Sequence, residues 1–384
     1  MKIILCITGS IAATEDLKLV HELQRHGFDV ECFMTEAAAE IITPLSMEFA
    51  TKKRVVTRIT GYVEHVTNAQ ADLILVAPAT ANTISKFAHK VADTTVTTLL
   101  LTASGYDTPI LFVPSMHISM YDAITDNIQK IMENNKNVYF MEPNEAERKA
   151  KFPSKEDIVL EVERLTSEQK LSGKNVMIST GATFESLDSM RGLTNRSSGK
   201  MGVEIAKEAY RQGANVTVVC GIMHTHVSKL FECVNVESAQ DMMDVVAEKI
   251  GDTDIYVSVA AISDFTFDEV YDGKISSDED ITVRLRRLPK LLGQVKKINP
   301  KAFVVGFKAE SGVSEEVLIK KAKDRMEKYD LDVMVANDIS VEDGGPGSDN
   351  NEVYIIDNDS FEKVSLDSKS NVAKKIVEKV CSFF

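Results

Sequence analysis

Paired cysteines are missing from this chain. The five cysteines are scattered and odd in number, and no two of them form a CxxC pair. Such usage is typical of reduced thiols and argues against a structural zinc site. We therefore expect a cytoplasmic protein.

Long apolar segments and an excess of positive charge are also missing. The apolar run at residues 3–7 is too short for a secretion signal, and no later segment approaches the roughly 20 apolar residues of a membrane span. Fifty-eight acidic against 44 basic residues leave a formal net charge of −14. This charge argues against nonspecific binding to nucleic acids or membranes, so we expect small-molecule partners.

The length of the chain indicates two domains, since 384 residues exceed the usual domain size of about 150. A composition of 44% hydrophobic and 27% charged residues is that of a soluble globular protein. Residues 156–171 are typical of an amphipathic helix, and a turn at 172–174 follows it. We therefore expect one domain at residues 1–172 and a second at 173–384.

Both halves of the chain alternate buried strands with amphipathic helices. Unbroken apolar runs at residues 3–7, 73–76 and 110–113 predict strands that are buried on both faces of a parallel sheet. The second half begins as the first does, with a strand, a Thr-Gly pair, a small residue and a helix. The pattern predicts an α/β protein with two doubly wound domains, whose ligands sit beyond the carboxyl ends of the strands.

Polar segments follow two predicted strands of the first half. Residues 77–86 and 114–121 present small residues, hydroxyls and an amide, which suit a flat ring and a phosphate such as those of flavin mononucleotide (FMN). The pattern alone is not specific for a flavin. Threonines within residues 92–98 open a helix and either cap it or touch a ligand.

The most distinctive stretch of the second half is residues 177–202. A buried strand leads into a long loop of hydroxyls, amides and glycines, and a helix follows. Such a loop presents backbone N–H groups to an anion such as a nucleotide's phosphates. An ordinary glycine turn explains the pattern equally well, because the spacing matches neither the dinucleotide fingerprint nor the P-loop.

Asp264 and Lys274 are two further candidates in the second half. Asp264 follows the predicted strand at residues 254–259, and Lys274 stands ten positions later in an acidic stretch. The two side chains suit a phosphate beside a metal or a base-recognising carboxylate. A lysine in such a stretch is also commonly a solvated surface charge, so both interpretations stay open.

Taken together, these motifs resemble known enzymes. The second half resembles phosphopantothenate–cysteine ligase in residues 195–202 (NRSSGKMG), 260–265 (AAISDF), Lys274, 306–310 (GFKAE) and 336–338 (AND). The first half resembles phosphopantothenoylcysteine decarboxylase, a homo-oligomeric flavodoxin-like FMN protein, in residues 8–12 (TGSIA), His65, 77–83 (APATANT) and 114–117 (PSMH). Order and length resemble those of the fused bifunctional enzymes of coenzyme A biosynthesis, which implies a flavodoxin-like first domain and a Rossmann-like ligase domain.

The resemblance to the ligase implies a reaction in which CTP and 4'-phosphopantothenate form an acyl-cytidylate that cysteine attacks, with Mg²⁺ screening the triphosphate. Positions that match acyl-cytidylate contacts are Asn195, Ala260, Ala261 and Lys274, where Lys274 stabilises charge on the transferring group. Positions that match CTP contacts are Asp264, Pro289, Lys290, Leu291, Leu292, Phe307 and Lys328. A lysine expected one turn before Lys328 is Asp324 here, and Lys308 replaces an expected alanine, which adds a phosphate contact or nothing. No metal ligands are assigned.

The resemblance to the decarboxylase implies oxidation of the cysteinyl thiol of 4'-phosphopantothenoylcysteine with FMN as the electron acceptor, followed by loss of carbon dioxide and return of the electrons. His65 matches the catalytic base. His117 stands where the family has an asparagine that holds the substrate carboxylate, and it can still donate to a carboxylate. Positions expected to contact FMN are Gly9, Ser10, Ile11, Thr35, Pro78, Thr80, Asn82, Ser85 and Thr97.

One departure from the family keeps an alternative open. The polar stretch at residues 142–153 is either an active-site flap or simply a long surface loop, and it lacks the proton-donating cysteine of the family's flap. Either another group supplies the proton, or only the ligase is active and the first domain is a flavin-binding or oligomerising scaffold. A third hypothesis is that the first domain is a flavoprotein with a different decarboxylation chemistry. The resemblance also implies a homo-oligomer with trimeric contacts of the first domain and dimeric contacts of the second.

Overall fold

The computed structural model describes residues 1–146, 149–277 and 280–384, with the side chains of residues 144–151 left out of the description. The chain divides into two compact units, Met1–Ser167 and Glu168–Phe384. We call them the N-terminal unit and the C-terminal unit. No helix within the described ranges is both long enough and apolar enough to cross a bilayer.

The N-terminal unit alternates strands and helices from its first residues. After β1 a short 3-10 helix, Ile11–Glu15, leads into the first α-helix. In chain order the elements are β1 (Lys2–Ile7), α1 (Asp16–Arg25), β2 (Asp29–Met34), α2 (Glu36–Ala39), α3 (Pro44–Thr51), α4 (Glu64–Asn68), β3 (Leu73–Ala79), α5 (Ala81–Ala88), α6 (Thr95–Ser104), β4 (Ile110–Pro114), β5 (Met116–His117), α7 (Ile118–Asp122), α8 (Thr125–Asn134), β6 (Val138–Phe140), β7 (Asn144–Ala146), β8 (Lys149–Lys151) and α9 (Lys155–Thr166).

The main sheet of the N-terminal unit has the strand order β2-β1-β3-β4-β6, and all its strands are parallel. This is the flavodoxin-like order, in which the chain reverses direction across the sheet beside its first strand. Every residue of β3 and β4 is buried, because a sheet of this kind is covered on both faces. The doubly wound, flavodoxin-like fold predicted for this half is confirmed.

The C-terminal unit repeats the alternation with more strands. A second short 3-10 helix, Ile250–Asp252, follows its second α-helix. The elements are β9 (Asn175–Thr180), β10 (Phe184–Ser186), β11 (Gly192–Thr194), α10 (Lys200–Arg211), β12 (Asn215–Cys220), β13 (Glu232–Asn235), α11 (Ala239–Lys249), β14 (Ile255–Ser258), β15 (Phe265–Phe267), β16 (Leu285–Arg287), α12 (Leu292–Ile298), β17 (Phe303–Glu310), α13 (Glu315–Tyr329), β18 (Val333–Asp338), β19 (Asn350–Ile356), β20 (Phe361–Ser368) and α14 (Lys369–Cys381).

The main sheet of the C-terminal unit has the strand order β13-β12-β9-β14-β17-β18-β19-β20. Its first six strands are parallel and follow the Rossmann order, whereas β19 and β20 extend the sheet as antiparallel strands. The Rossmann-like fold predicted for this half is confirmed. The switch point of the sheet lies between β9 and β14, so the segments after these two strands are where a ligand is expected.

Two strands run further than their apolar cores predict. The sequence predicts strands that end at Val305 and Val335, with polar segments after them. The structure continues β17 to Glu310 and β18 to Asp338, because the two strands stay paired through that register. Phe307 and Lys308 therefore project from a strand, which fixes their backbone, and do not lie on a loop.

Candidate functional sites

A cavity of about 900 Å³ opens at the carboxyl edge of the sheet in the N-terminal unit. Its walls are the segments that follow β1, β2, β3 and β4, together with the entry to α6. Of the residues predicted to contact FMN, those that line it are Gly9, Ser10, Thr35, Thr80, Asn82 and Thr97. Ile11, Pro78 and Ser85 are not among the lining residues.

The floor of this cavity is built by close contacts between neighbouring loops. The Thr8 hydroxyl donates to the carbonyl of Pro78 at 2.6 Å and accepts from the amide of Thr80 at 3.1 Å, which ties the end of β1 to the end of β3. A Cβ at Gly9 would lie 2.7 Å from the Cβ of Ala37. Only glycine therefore lets the first loop approach α2 this closely.

Threonine caps face the same edge. The hydroxyls of Thr35, Thr80 and Thr94 accept hydrogen bonds of 3.0–3.4 Å from the amides that open α2, α5 and α6. Thr94 and Thr97 form a reciprocal capping box, so capping explains two of the four threonines at residues 92–98. All four threonines also line the cavity, so Thr94 and Thr97 each combine the two roles that the sequence offered.

Charged side chains give the cavity a mixed rim. Lys86 and Arg58 line it, as do Glu36 and Asp93, and the Lys86 amine pairs with Asp93 at 2.8 Å. A hydroxyl-rich cleft with two cations is suited to a phosphate next to a planar ring. The residues present therefore fit a flavin nucleotide.

The two candidate histidines stand apart from this cavity lining. His65 lies on α4, and its Nδ1 is buried without a hydrogen-bond partner in the described part of the chain. His117 is exposed and caps α7, with Nδ1 accepting from the Ser119 amide at 3.3 Å and 2.7 Å from the Ser119 hydroxyl. The neighbours Met116 and Met120 do line the cavity. The catalytic roles of both histidines stay predictions.

The predicted flap at residues 142–153 includes Glu147 and Arg148, which lie outside the described residues. Of the remainder, β8 pairs with β7 as a hairpin and also with β5, so that His117 stands opposite Lys149 in the register. The flap backbone therefore reaches the strand that carries His117.

In the C-terminal unit, the distinctive loop meets the end of β14. The Asn195 amide donates to the carbonyl of Ala261 at 2.9 Å, and the Ala261 amide donates to the carbonyl of Gly181 at 2.9 Å. The Thr183 hydroxyl accepts from the amide of Ser263 at 2.9 Å. The structure thus brings together Asn195 and the Ala260–Ala261 segment, which the resemblance assigns to one intermediate.

Two glycines let the loop close onto the strand. Gly199 has φ 77°, a left-handed conformation, and its carbonyl accepts from the Thr180 hydroxyl at 3.0 Å. A Cβ at Gly202 would lie 2.2 Å from the same Thr180 oxygen. The first turn of α10 is thereby held directly against the end of β9.

Two residues that the sequence analysis did not predict hold the backbone beside Lys274, whose own side chain is exposed. The Asp188 carboxylate accepts from the Ile275 amide at 3.1 Å and pairs with the Arg191 guanidinium at 2.8 Å. Arg191 in turn donates to the Ile275 carbonyl at 2.6 Å. Burial raises the pKa of Asp188, but these donors and the Met190 amide outweigh burial and bring it to about 2. The Asp-x-x-Arg spacing in the loop was the available signal.

Six of the seven residues predicted to contact CTP line one small pocket of about 80 Å³. They are Asp264, Pro289, Lys290, Leu291, Leu292 and Phe307. Lys290 pairs with Asp264. Lys328 is not among the lining residues, and its amine lies 5.2 Å from the centre of the Tyr329 ring. Arg325 lines the pocket and was not predicted.

Metal binding has no preformed cluster here. Within residues 1–146, 149–277 and 280–384, no group of three or more histidine, cysteine, aspartate or glutamate side chains is arranged to hold a metal ion.

Comparison with known proteins gives the class first. The family model "Flavoprotein" matches residues 1–167, and the model "DNA/pantothenate metabolism flavoprotein C-terminal domain" matches residues 171–383. The crystal structure of the DNA/pantothenate metabolism flavoprotein from Streptococcus pneumoniae is similar in fold, with 21% identity and a TM-score of 0.50 over 55% of this chain and 100% of that chain. The chain is thus a flavoprotein, and each of its two units matches one of these family models.

Two full-length relatives give the family. The chain is 42% identical to "Coenzyme A biosynthesis bifunctional protein CoaBC" of Thermococcus kodakarensis, over 99% of this chain and 94% of the relative. It is 40% identical to the protein of the same name from Methanocaldococcus jannaschii, over 99% and 93%. The chain belongs to the CoaBC family of bifunctional proteins, and the resemblance found in its motifs is confirmed.

Proposed function

We propose that this chain catalyses two consecutive steps of coenzyme A biosynthesis. The C-terminal unit ligates cysteine to 4'-phosphopantothenate with CTP, and the N-terminal unit decarboxylates the 4'-phosphopantothenoylcysteine that is formed. The observation that carries the proposal is the convergence, in the C-terminal unit, of two sets of motif residues: Asn195 on Ala261, and the CTP motif residues in one pocket. Family membership over the full chain supports both halves.

The ligase reaction proceeds in two substitution steps, each of which expels a leaving group. The carboxylate of 4'-phosphopantothenate attacks the α-phosphorus of CTP and expels pyrophosphate, which leaves an acyl-cytidylate. The amine of cysteine then attacks the acyl carbon and expels CMP. We assign Asn195 to orientation of the acyl-cytidylate and Lys274 to stabilisation of the charge that builds up on it. Mg²⁺ would arrive on the triphosphate, as is usual for this ion at phosphate sites.

The pocket beside Phe307 must open to admit CTP. At about 80 Å³ it is smaller than the roughly 300–1,000 Å³ of small-molecule sites, and the paired side chains of Lys290 and Asp264 both line it. We propose that the triphosphate draws Lys290 away from Asp264. The freed carboxylate then becomes an acceptor for the exocyclic amine of cytosine, a contact that uracil lacks.

For the decarboxylase, the cavity of the N-terminal unit is the proposed FMN site. FMN, when bound, supplies reversible oxidation of the cysteinyl thiol, after which loss of carbon dioxide is easy. Gly9, Ser10, Thr35 and Thr80 would hold the cofactor at the edge of the sheet. His65 would remove the substrate's proton, and its buried Nδ1 without a partner is suited to a base that a substrate completes.

A second candidate function is the ligase alone, with the N-terminal unit as a flavin-binding scaffold. Two observations favour it: the flap has no cysteine, and neither His65 nor His117 lines the cavity. Carbon dioxide release from 4'-phosphopantothenoylcysteine by the FMN-loaded enzyme separates the two functions. Release far above that of the His65→Asn variant supports the full function, and equal release by both proteins supports the scaffold. A yellow protein that does not turn over this substrate favours a different decarboxylation.

The assembly and location are also proposals. We propose a homo-oligomer with trimeric contacts through the N-terminal units and dimeric contacts through the C-terminal units, by analogy with the family. Analytical ultracentrifugation of the full chain tests this, with a monomer as the contrary result. The cytoplasmic location inferred from cysteine usage stays a prediction.

A further inference from the structure

The CTP pocket holds a cation that the motif comparison does not provide. The position where a lysine is expected, one turn before Lys328, is Asp324, and its side chain is exposed. Its neighbour Arg325 is partly buried and lines the pocket together with Lys290 and Phe307. The helix α13 therefore presents a guanidinium to the pocket from the adjacent position.

The Arg325 guanidinium is held in place, but not all of its hydrogen-bond donors have acceptors. Its central carbon lies 5.7 Å from the centre of the Tyr329 ring. That ring packs against α12, since a Cβ at Gly293 would lie 3.4 Å from it. The buried Nε of Arg325 has no hydrogen-bond partner within the described residues. A buried donor without an acceptor is costly, so this N–H favours a ligand that brings one.

Lys308 adds a second unexpected cation on the neighbouring strand. It replaces an alanine expected from the resemblance, and it follows Phe307 on β17 without being among the residues that line the pocket. Its amine pairs with Glu310 at 2.6 Å, but Glu310 also binds Lys321 at 2.8 Å. One carboxylate thus serves two lysines, and Lys308 keeps positive charge for a further anion.

The charges of several cations act on Lys290. Burial lowers the pKa of the Lys290 amine, and three neighbouring cations lower it further: Arg325, Lys308 and Lys328. The carboxylates paired with this group are Asp264 and the shared Glu310. Positive charges that act on one another in this way favour a ligand with several negative charges.

We infer that Arg325 binds the phosphate chain of the nucleoside triphosphate in the place of the lysine expected at position 324, and that the charge of Lys308 assists it from the neighbouring strand. The inference rests on the proposed ligase function and extends it to two residues of this chain. Arginine presents a planar fork of donors that grips two phosphate oxygens at once, which a lysine cannot do. The site is therefore selective for the triphosphate over the monophosphate product, which has fewer oxygens to grip.

A purely structural role for Arg325 makes a different prediction. If the guanidinium only packs on Tyr329, its removal lowers the melting temperature and affects every substrate alike. If it binds phosphates, its removal affects the nucleotide alone and affects CTP more than CMP.

Steady-state kinetics of pyrophosphate release by the full-length enzyme, with Mg²⁺ present, tests the inference. We expect Arg325→Met to raise the KM for CTP by about tenfold or more, as for loss of a charge-assisted hydrogen bond, while the KM for 4'-phosphopantothenate stays unchanged. Lys308→Ala should raise the KM for CTP less, because the Lys308 amine already forms an ion pair with Glu310. The matched control is Lys323→Met, which removes an exposed cation from the same helix and should leave the KM unchanged.

Binding measured by calorimetry gives the second readout. The ratio of the Kd for CMP to the Kd for CTP should fall about tenfold in Arg325→Met, and Arg325→Lys should lie between the two proteins. A KM for CTP equal to that of the wild type, or equal weakening of CMP and CTP, overturns the inference. If the wild-type enzyme releases no pyrophosphate when CTP is supplied, the ligase function itself is refuted. That result differs from a failure of the inference, in which the wild-type enzyme is active and the Arg325 variant is unaffected.

Discussion

The Asn195 side-chain amide donates a hydrogen bond of 2.9 Å to the main-chain carbonyl of Ala261. The bond joins the long loop after β9 to the end of β14, which are the two segments on either side of the switch point of the sheet. It holds one amide N–H on the carbonyl and leaves the amide oxygen and the second N–H for a ligand. We propose that the acyl-cytidylate site is built around this contact.

The Asn195→Asp variant tests that site. A carboxylate in place of the amide puts an acceptor against the Ala261 carbonyl, so the donor is lost and two oxygens face each other. We expect CMP release to fall about 100-fold or more, or the acyl-cytidylate to accumulate, as for removal of one preorganised donor. Rapid-quench analysis of the nucleotides measures both. Wild-type rates of CMP release would contradict the assignment.

The Lys274→Gln variant addresses charge stabilisation in the same site. In the wild-type enzyme the Lys274 amine should stabilise charge on the transferring group. We therefore expect its removal to slow the CMP-forming step while the KM for CTP changes little. Lys296→Gln is a control that removes a lysine paired with Asp332 elsewhere in the unit. CMP formation by Lys274→Gln at the wild-type rate would refute the role of this lysine.

Asp188 should act on catalysis through the segment that carries Lys274. In Asp188→Asn the bonds to the Ile275 amide and to Arg191 weaken, so Lys274 loses its placement. We expect kcat to fall about tenfold while the KM for CTP is preserved, a separation that simple loss of folding does not produce. Equal changes in both constants would contradict a positioning role.

The pH dependence of stability provides a further test of Asp188. Its folded pKa of about 2 lies below the unfolded value of about 3.9. Its stabilising contribution is therefore complete above pH 4 and is lost as the pH falls towards 2. Thermal unfolding of the wild type and of Asp188→Asn should differ at pH 6 and converge between pH 4 and 2. A constant difference across that range would contradict the assigned pKa.

Gly202→Ala tests the close approach of α10 to β9. The new Cβ would meet the Thr180 hydroxyl oxygen at 2.2 Å, so the helix or the strand has to move. We expect a loss of about 1–3 kcal/mol in the free energy of unfolding, as for other overpacked sites, together with weaker CTP-dependent activity. The control is Gly251→Ala, where nothing lies within 4 Å of the added atom. Equal stability of the two variants would contradict the packing argument.

Much of the fold follows from sequence patterns because they are local. The apolar runs at residues 3–7 and 73–76 needed only their own composition to indicate buried parallel strands, and β1 and β3 are where those runs predict. The ends of β17 and β18 were wrong by several residues. Whether Phe307 through Glu310 extends as a strand depends on a partner strand some 30 residues away, and such pairing leaves no local signal.

The residues of the candidate sites were likewise predicted only in part. Motif residues such as Asn195 and Ala261 were found by sequence and meet in the structure. Arg325 and Asp188 were missed because neither belongs to a recognised motif, and their importance arises from what the fold places next to them. Whether His65 and His117 act at the FMN cavity also depends on tertiary placement, which sequence spacing does not specify.

The central claim is that one chain performs both reactions, and a coupled assay of the full-length protein tests it most directly. The enzyme is supplied with FMN, Mg²⁺, CTP, cysteine and 4'-phosphopantothenate, and CMP and carbon dioxide are measured together. We predict that both products form and approach equal amounts, and that His65→Asn abolishes carbon dioxide release while CMP release continues. CMP without carbon dioxide from the wild-type protein would contradict the bifunctional account.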